Sequence, residues 1–314
     1  MKWWIDRWNS YWFPQSTPIP LSIFRIVAVG AQLLFFLPSI DTNLNLLEKN
    51  ETLLSPQFLI VAITAIIPEQ LFLTPTTFAI VRWITIFAGV TCLIGFWTRA
   101  SAFIFALGNW IFIAHRYSYA DIHHPEAVFC IFLMLLAFSP SGAALSVDSL
   151  LNRRRINAVF SPEELDTAVW PIRFVHILLA LTYFSTGASK LIYGGLQWIN
   201  GNTLQQYILT NAVRKDLELG LWMAQQPTLC RLLSVYTIVF ELFFFVSVVM
   251  PSTARYVLLS GIVFQIGLYA VSGHPFFEHL VLLILLFGFF EAERGRLWLK
   301  KKNRIISMAA AKVG

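Results

Sequence analysis

Between Ile172 and Tyr193 the chain reads IRFVHILLALTYFSTGASKLIY, an apolar run interrupted near its end by Lys190. Roughly 20 apolar residues rising about 1.5 Å each cross a hydrocarbon core about 30 Å thick. In that solvent every backbone polar group must be satisfied internally, which restricts the fold to helices or a closed barrel. Runs of this kind recur at 20–38, 77–97, 100–117, 124–143, 171–193, 228–250, 254–272 and 276–291. They predict an all-α integral membrane protein with about eight transmembrane helices. A further apolar piece at 57–67 is too short and is cut by Pro68, which predicts a short interfacial helix.

The charge content excludes the soluble class. Only 13% of the residues are charged and 57% are hydrophobic, against about 25% charged in a soluble domain. The net charge of +6 is concentrated in Arg294, Arg296, Lys300, Lys301, Lys302 and Arg304. A basic tail after the last span suits an anionic membrane face, not nucleic acid. The first run is full-length and follows Lys2 and Arg7, so it reads as a retained span, not a cleaved signal. Cys92, Cys130 and Cys230 lie in or beside apolar segments without metal spacing and read as packing residues.

Loop charge sets the orientation. Arg99, Arg153-Arg154-Arg155, Arg255 and the tail fall on one side, which the positive-inside rule makes cytoplasmic, with both termini. The opposite ends then gather His123, His124 and Glu126, Lys190, Trp198 and Asn200, and His274, Glu278 and His279. Four of the six histidines fall on that outer side, which predicts a titratable cavity opening outward.

Four groups could carry chemistry. In the fifth run His176, Ala180, Tyr183, Gly187 and Lys190 follow at steps of four, three, four and three, one helical stripe. A lysine at a helix end can be a snorkelling anchor. On a packed stripe its amine loses water, a setting that suits a base. Asp121-Ile-His-His-Pro-Glu126 offers acid–base groups at a helix start, but no HxxxH or HExxH spacing, so no metal is predicted. Glu241, amid aromatic residues, must be protonated, paired or beside water, and Arg25 and Arg82 are its candidate partners as buried charges. His274 and His279 flank a tight turn and could line the outer cavity. Tyr183, Trp198 and Asn200 are the further candidates for holding a substrate.

Two stretches together resemble a known family. Tyr183-Phe-Ser-Thr-Gly-Ala-Ser-Lys-Leu191 is followed by Trp198-Ile-Asn-Gly201, and His123-His124 by Ser139-Pro-Ser-Gly142 and Ser146-Val-Asp148. Both are similar to the HTTM domain, the membrane region shared with vitamin K-dependent γ-glutamyl carboxylase. The resemblance implies a single HTTM-like transmembrane domain over 1–314 and a catalytic base at Lys190. It implies a role for His124, or His123 with a one-residue shift, in carboxylation. The implied substrate is reduced vitamin K or a related quinol, and the implied chemistry is of the carboxylase and epoxidase type. Such carboxylases continue into a soluble β-rich portion that helps bind protein substrate, and no soluble carboxylase-type domain is expected here. The sequence therefore reads as a membrane enzyme with a quinol- or lipid-like substrate and Lys190 as base. The alternative is a non-catalytic maturation, immunity or assembly factor with a protein or peptide partner. A solute carrier ranks last, because no inverted repeat is present.

Overall fold

The computed structural model describes residues 2–48, 55–120, 124–156, 160–274 and 276–313, and among these there is no strand. The chain forms two compact units, Met1–Val175 and His176–Gly314. Four helices are long and apolar enough to cross a membrane: Ile19–Phe36, Pro75–Ile94, Glu163–Gly194 and Ala254–Ser272.

The first unit begins with α1 (Lys2–Trp12) and α2 (Ile19–Ala31), which runs into a π-helical turn at Gln32–Phe36. Short helices α3 (Ile40–Leu47), α4 (Phe58–Thr64) and α5 (Glu69–Phe72) lead to two long ones, α6 (Pro75–Ile94) and α7 (Thr98–Tyr117). Then come α8 (His124–Ala137), α9 (Val147–Ile156), α10 (Pro162–Thr167) and the start of α11 (Trp170–Ser189). The apolar piece expected at 57–67 forms only α4 and ends before Pro68. Thr74 caps α6 by accepting from the Thr77 amide, Pro75 needs no partner at the first helical position, and Gly95 ends the helix at φ +73°. Phe105, Phe112, Phe129 and Phe132 are fully buried, whereas Trp83 and Phe87 of α6 are over 70% exposed. Large aromatic side chains facing outward in a continuous stripe suit lipid.

The serine-rich stretch after α8 is a structural clamp. Arg25 is fully buried and donates to the carbonyls of Ser141 at 2.7 Å and Leu145 at 2.6 Å. Asp148 accepts from the amides of Trp97 and Thr98 and from the Thr98 hydroxyl, at 3.0, 2.8 and 2.7 Å. Its carboxylate thus satisfies orphan donors at the start of α7 and meets the positive end of that helix.

The second unit holds the rest of α11, a π-helical turn at Lys190–Gly194, α12 (Leu196–Ile199), α13 (Asn202–Lys215) and α14 (Glu218–Ala224). It continues through α15 (Pro227–Phe243), α16 (Val246–Val249), α17 (Ala254–Ser272) and α18 (Phe277–Val313). The stretch 194–227, which reads in sequence as a polar connection, is three further helices. Their amphipathic faces are too short to stand out by hydropathy. The last span and the basic tail form one continuous helix, because no proline follows Pro275; Gly288 and Gly295 lie within the helix without ending it.

Replacing Asp148 by Ala is expected to cost about 1–3 kcal/mol through the lost cap, and Asp148→Asn less, because one accepting oxygen remains. Thermal unfolding of the purified protein in detergent checks both.

Candidate functional site around Lys190

The stripe on α11 faces protein. His176, Ala180 and Tyr183 are each at most 4% exposed. The facing helix α15 has its own stripe of small or polar residues, with Cys230, Ser234, Thr237 and Glu241 buried at steps of four, three and four. Where the stripes meet, Gly187 lets the backbones approach. A Cβ there would lie 3.0 Å from Glu241 Cβ and 3.1 Å from the Leu242 amide nitrogen. One turn further on, α11 widens into the π-helical turn that begins with Lys190. Such turns are rare and concentrate at functional sites.

Lys190 Nζ donates to both oxygens of Glu241, each at 2.7 Å. The side chains are 16% and 5% exposed. The carboxylate takes the ammonium head on, with both oxygens engaged, a strong charge-assisted arrangement. The ammonium also stands 5.2 Å from the centroid of the Trp198 ring, within cation–π range. Gly194 makes room for that ring, since a Cβ there would collide with it. The Trp198 carbonyl accepts from the Ser234 hydroxyl, which ties α12 to α15.

Arg25 and Arg82 are not the partners of Glu241. Arg25 belongs to the carbonyl clamp of the first unit, and Arg82, half-buried, donates to the Pro38 carbonyl at 2.5 Å. Both guanidiniums satisfy chain ends nearby, a use that hydropathy and spacing do not register.

A second polar group lies two turns back along α11. Gln265 Nε2 donates to the Tyr183 hydroxyl at 2.6 Å, and the His279 ring lies 5.7 Å from the Tyr183 ring. His279 is 1% exposed. His176 Nε2 meets the Ser247 hydroxyl at 2.8 Å, a helix-to-helix bond of the kind its position predicts. His274 stacks near Tyr207, ring centroids 5.4 Å apart, and the amide of Asn202 donates to Asn200 Oδ1 at 3.0 Å. Asn200 therefore shapes the turn before α13.

An apolar cavity of about 220 Å³ lies between α13, α14, α15 and α17, lined among others by Leu204, Ile208, Tyr236, Thr237, Phe264 and Val271 but by neither Lys190 nor Glu241. Thr237 precedes Glu241 by one helical turn. Trp198 packs against the cluster formed by Leu204, Ile208, Ala224 and Val271, so its ring stands between the cavity wall and the Lys190 ammonium.

A family model, the HTTM domain, matches residues 18–292. The chain belongs to the HTTM family. The HTTM domain is found in the transmembrane region of vitamin K-dependent carboxylase. No curated protein and no solved structure matches the chain.

Within this HTTM chain the two motifs have different surroundings. The lysine motif forms the paired site of the second unit. Of the other motif, Ser146-Val-Asp148 is the cap and clamp of the first. His124 is exposed at the start of α8, while Asp121 and His123 lie outside the described residues. Glu126 forms an ion pair with Arg116. Sequence reading passed over His115, which is fully buried with Nδ1 2.9 Å from Asn43 Oδ1 and its ring against Phe78. Its position inside the third apolar run, one residue before Arg116, was the available signal.

Gly187→Ala is expected to cost about 1–3 kcal/mol by overpacking, whereas Gly288→Ala, where a Cβ meets nothing within 4 Å, is expected to be neutral or mildly stabilising. Paired melting curves check the contrast.

Proposed function

We propose that this protein is a membrane enzyme acting on a quinol- or lipid-like substrate with a weakly acidic hydroxyl. The observation that carries the reading is the Lys190–Glu241 pair, held nearly out of solvent, with the carboxylate one helical turn from Thr237 in the wall of an apolar cavity. Carboxylase-type membership of the HTTM family supports it. On this reading the chain crosses the bilayer eight times, with α7, α8, α15 and α18 added to the four helices long and apolar enough to cross. Both termini are cytoplasmic by loop charge, and the site opens on the outer side.

The residues present fit such a ligand. An apolar ring or chain of modest size matches a cavity walled by Leu204, Ile208, Phe264 and Val271, and Trp198 offers a flat face toward the ammonium. The quinol, when bound, supplies the acidic hydroxyl and the redox-active ring. The protein handles the proton. The Lys190 ammonium passes a proton to the Glu241 carboxylate, which leaves a neutral amine beside a carboxylic acid. The amine then takes the substrate's hydroxyl proton and becomes ammonium again. The net change is one proton moved from substrate to Glu241, and the new oxyanion faces a cation. Little reorganisation is needed, because donor and acceptor already touch. His279 of α18, whose ring lies near that of Tyr183 on the lysine's helix, is the candidate for carrying that proton onward, and His124 or His123 for the later half of a carboxylase-type reaction.

Lys190→Ala is expected to abolish activity with a quinol of vitamin K type, supplied in proteoliposomes and followed by product chromatography. Lys190→Arg should not restore it, since arginine stays charged and cannot act as a base. Full activity in folded Lys190→Ala would overturn the enzyme reading and favour a maturation or assembly factor. A second test fills the cavity. Gly267 lines it and a Cβ there meets nothing within 4 Å. Gly267→Phe is expected to leave the melting temperature within a few degrees while weakening photolabelling by an azido-quinone about tenfold or more; unchanged labelling would place the ligand elsewhere.

A further inference from the structure

From Leu191 to Val213 the chain contains no Asp, Glu, Lys or Arg. The stretch is nevertheless polar and largely at the surface. Helix α13 turns Leu204, Ile208 and Ala212 into the core. On its other side it carries two rows at steps of four, Asn202–Gln206–Thr210 and Thr203–Tyr207–Asn211, with neighbours in each row about 6 Å apart. Together with Gln197 these rows line an open, shallow trough on the surface. Charged residues make up 13% of the whole chain, and none falls among these 23 residues. Here every polar group is a carboxamide or a hydroxyl.

Carboxamides and hydroxyls both donate and accept hydrogen bonds. Sugar hydroxyls do the same. The two rows end one step further on at Arg214 and Lys215, outside the lining, and Lys215 Nζ donates to the Gly273 carbonyl, so no charged group lines the trough itself. Tyr207 supplies a ring beside the polar rows, and it is steadied from behind by His274. The level also fits, since Gln197 follows closely on the candidate span that ends at Gly194. That places the trough where the hydrocarbon core gives way to headgroups. Amide, hydroxyl and aromatic groups at that depth match a sugar carried by a lipid. Charged headgroups would call for lysine or arginine in the lining.

We propose that this trough binds an uncharged polyhydroxylated group of the hexose class, presented as the headgroup of a glycolipid. The site does not depend on the chemistry of Lys190 and stands or falls separately from it.

The test uses the full chain in nanodiscs containing monoglucosyl-diacylglycerol, phosphatidylglycerol or diacylglycerol, with retained lipid counted by native mass spectrometry. The glucosyl lipid should be retained at least tenfold better than either other lipid. Excess methyl glucoside should displace it, which assigns recognition to the sugar ring. The double variant Gln206→Ala/Thr210→Ala, altered only on the outward rows, should melt like the native protein and bind roughly tenfold less, as expected for the loss of two hydrogen-bonding groups. Equal retention of the three lipids would overturn the proposal. So would glucosyl lipid that resists methyl glucoside, or binding that survives in the correctly folded double variant.

Discussion

The pairing of one ammonium with one carboxylate inside an apolar helix bundle is the constraint on which the second unit depends. Either charge alone at that depth costs several kcal/mol, and breaking a buried pair by removing one partner costs about 3–5 kcal/mol. Lys190 and Glu241 must therefore meet, and α11 and α15 are shaped so that they do. Gly187 removes the side chain that would hold the backbones apart. The π-helical turn from Lys190 to Gly194 changes the helix geometry where the lysine leaves it. Gly194 then makes room for Trp198, which covers the ammonium. Packing a glycine, widening a helix and seating an aromatic ring all serve one contact.

A pair kept for stability alone is a poor solution, since apolar residues of similar volume often do as well or better. Its position gives it another use. The cavity one turn from the carboxylate is nearly all apolar, with Tyr236 and Thr237 as the polar residues that α15 gives to its wall. On the proposed reading, a substrate hydroxyl that reaches the pair meets an amine and a carboxylate already in hydrogen-bond contact. That is the arrangement from which a proton can be taken without first moving charge through lipid.

Much of this was legible in sequence, and the reasons differ by residue. Lys190, Tyr183 and Gly187 stood out because helical periodicity places them on one stripe, and the place of His176 in the inner half of its span suits a bond to another helix, which it makes to Ser247. The all-helical membrane class followed from hydropathy. The partner of Glu241 was not legible, because periodicity within one helix says nothing about which helix faces it, and Arg25 and Arg82 were equally charged candidates. Their bonds to carbonyls at Ser141, Leu145 and Pro38 depend on loop paths that no pattern encodes. The helices within 194–227 were missed because a neutral, amide-rich surface helix has little hydropathic contrast. Asp148 lay in a recognised motif, yet only coordinates distinguish a helix cap from a reacting group.

The account rests on the two charges being energetically one unit. A double-mutant cycle measures this most directly, with Lys190→Met, Glu241→Met and the double variant compared by thermal unfolding in nanodiscs. The account predicts that each single variant, which strands a buried polar group, melts below the double variant, so that the two losses are strongly non-additive. Losses that simply add, with the double variant the least stable of the three, would show that Lys190 and Glu241 do not act as a pair and would contradict it.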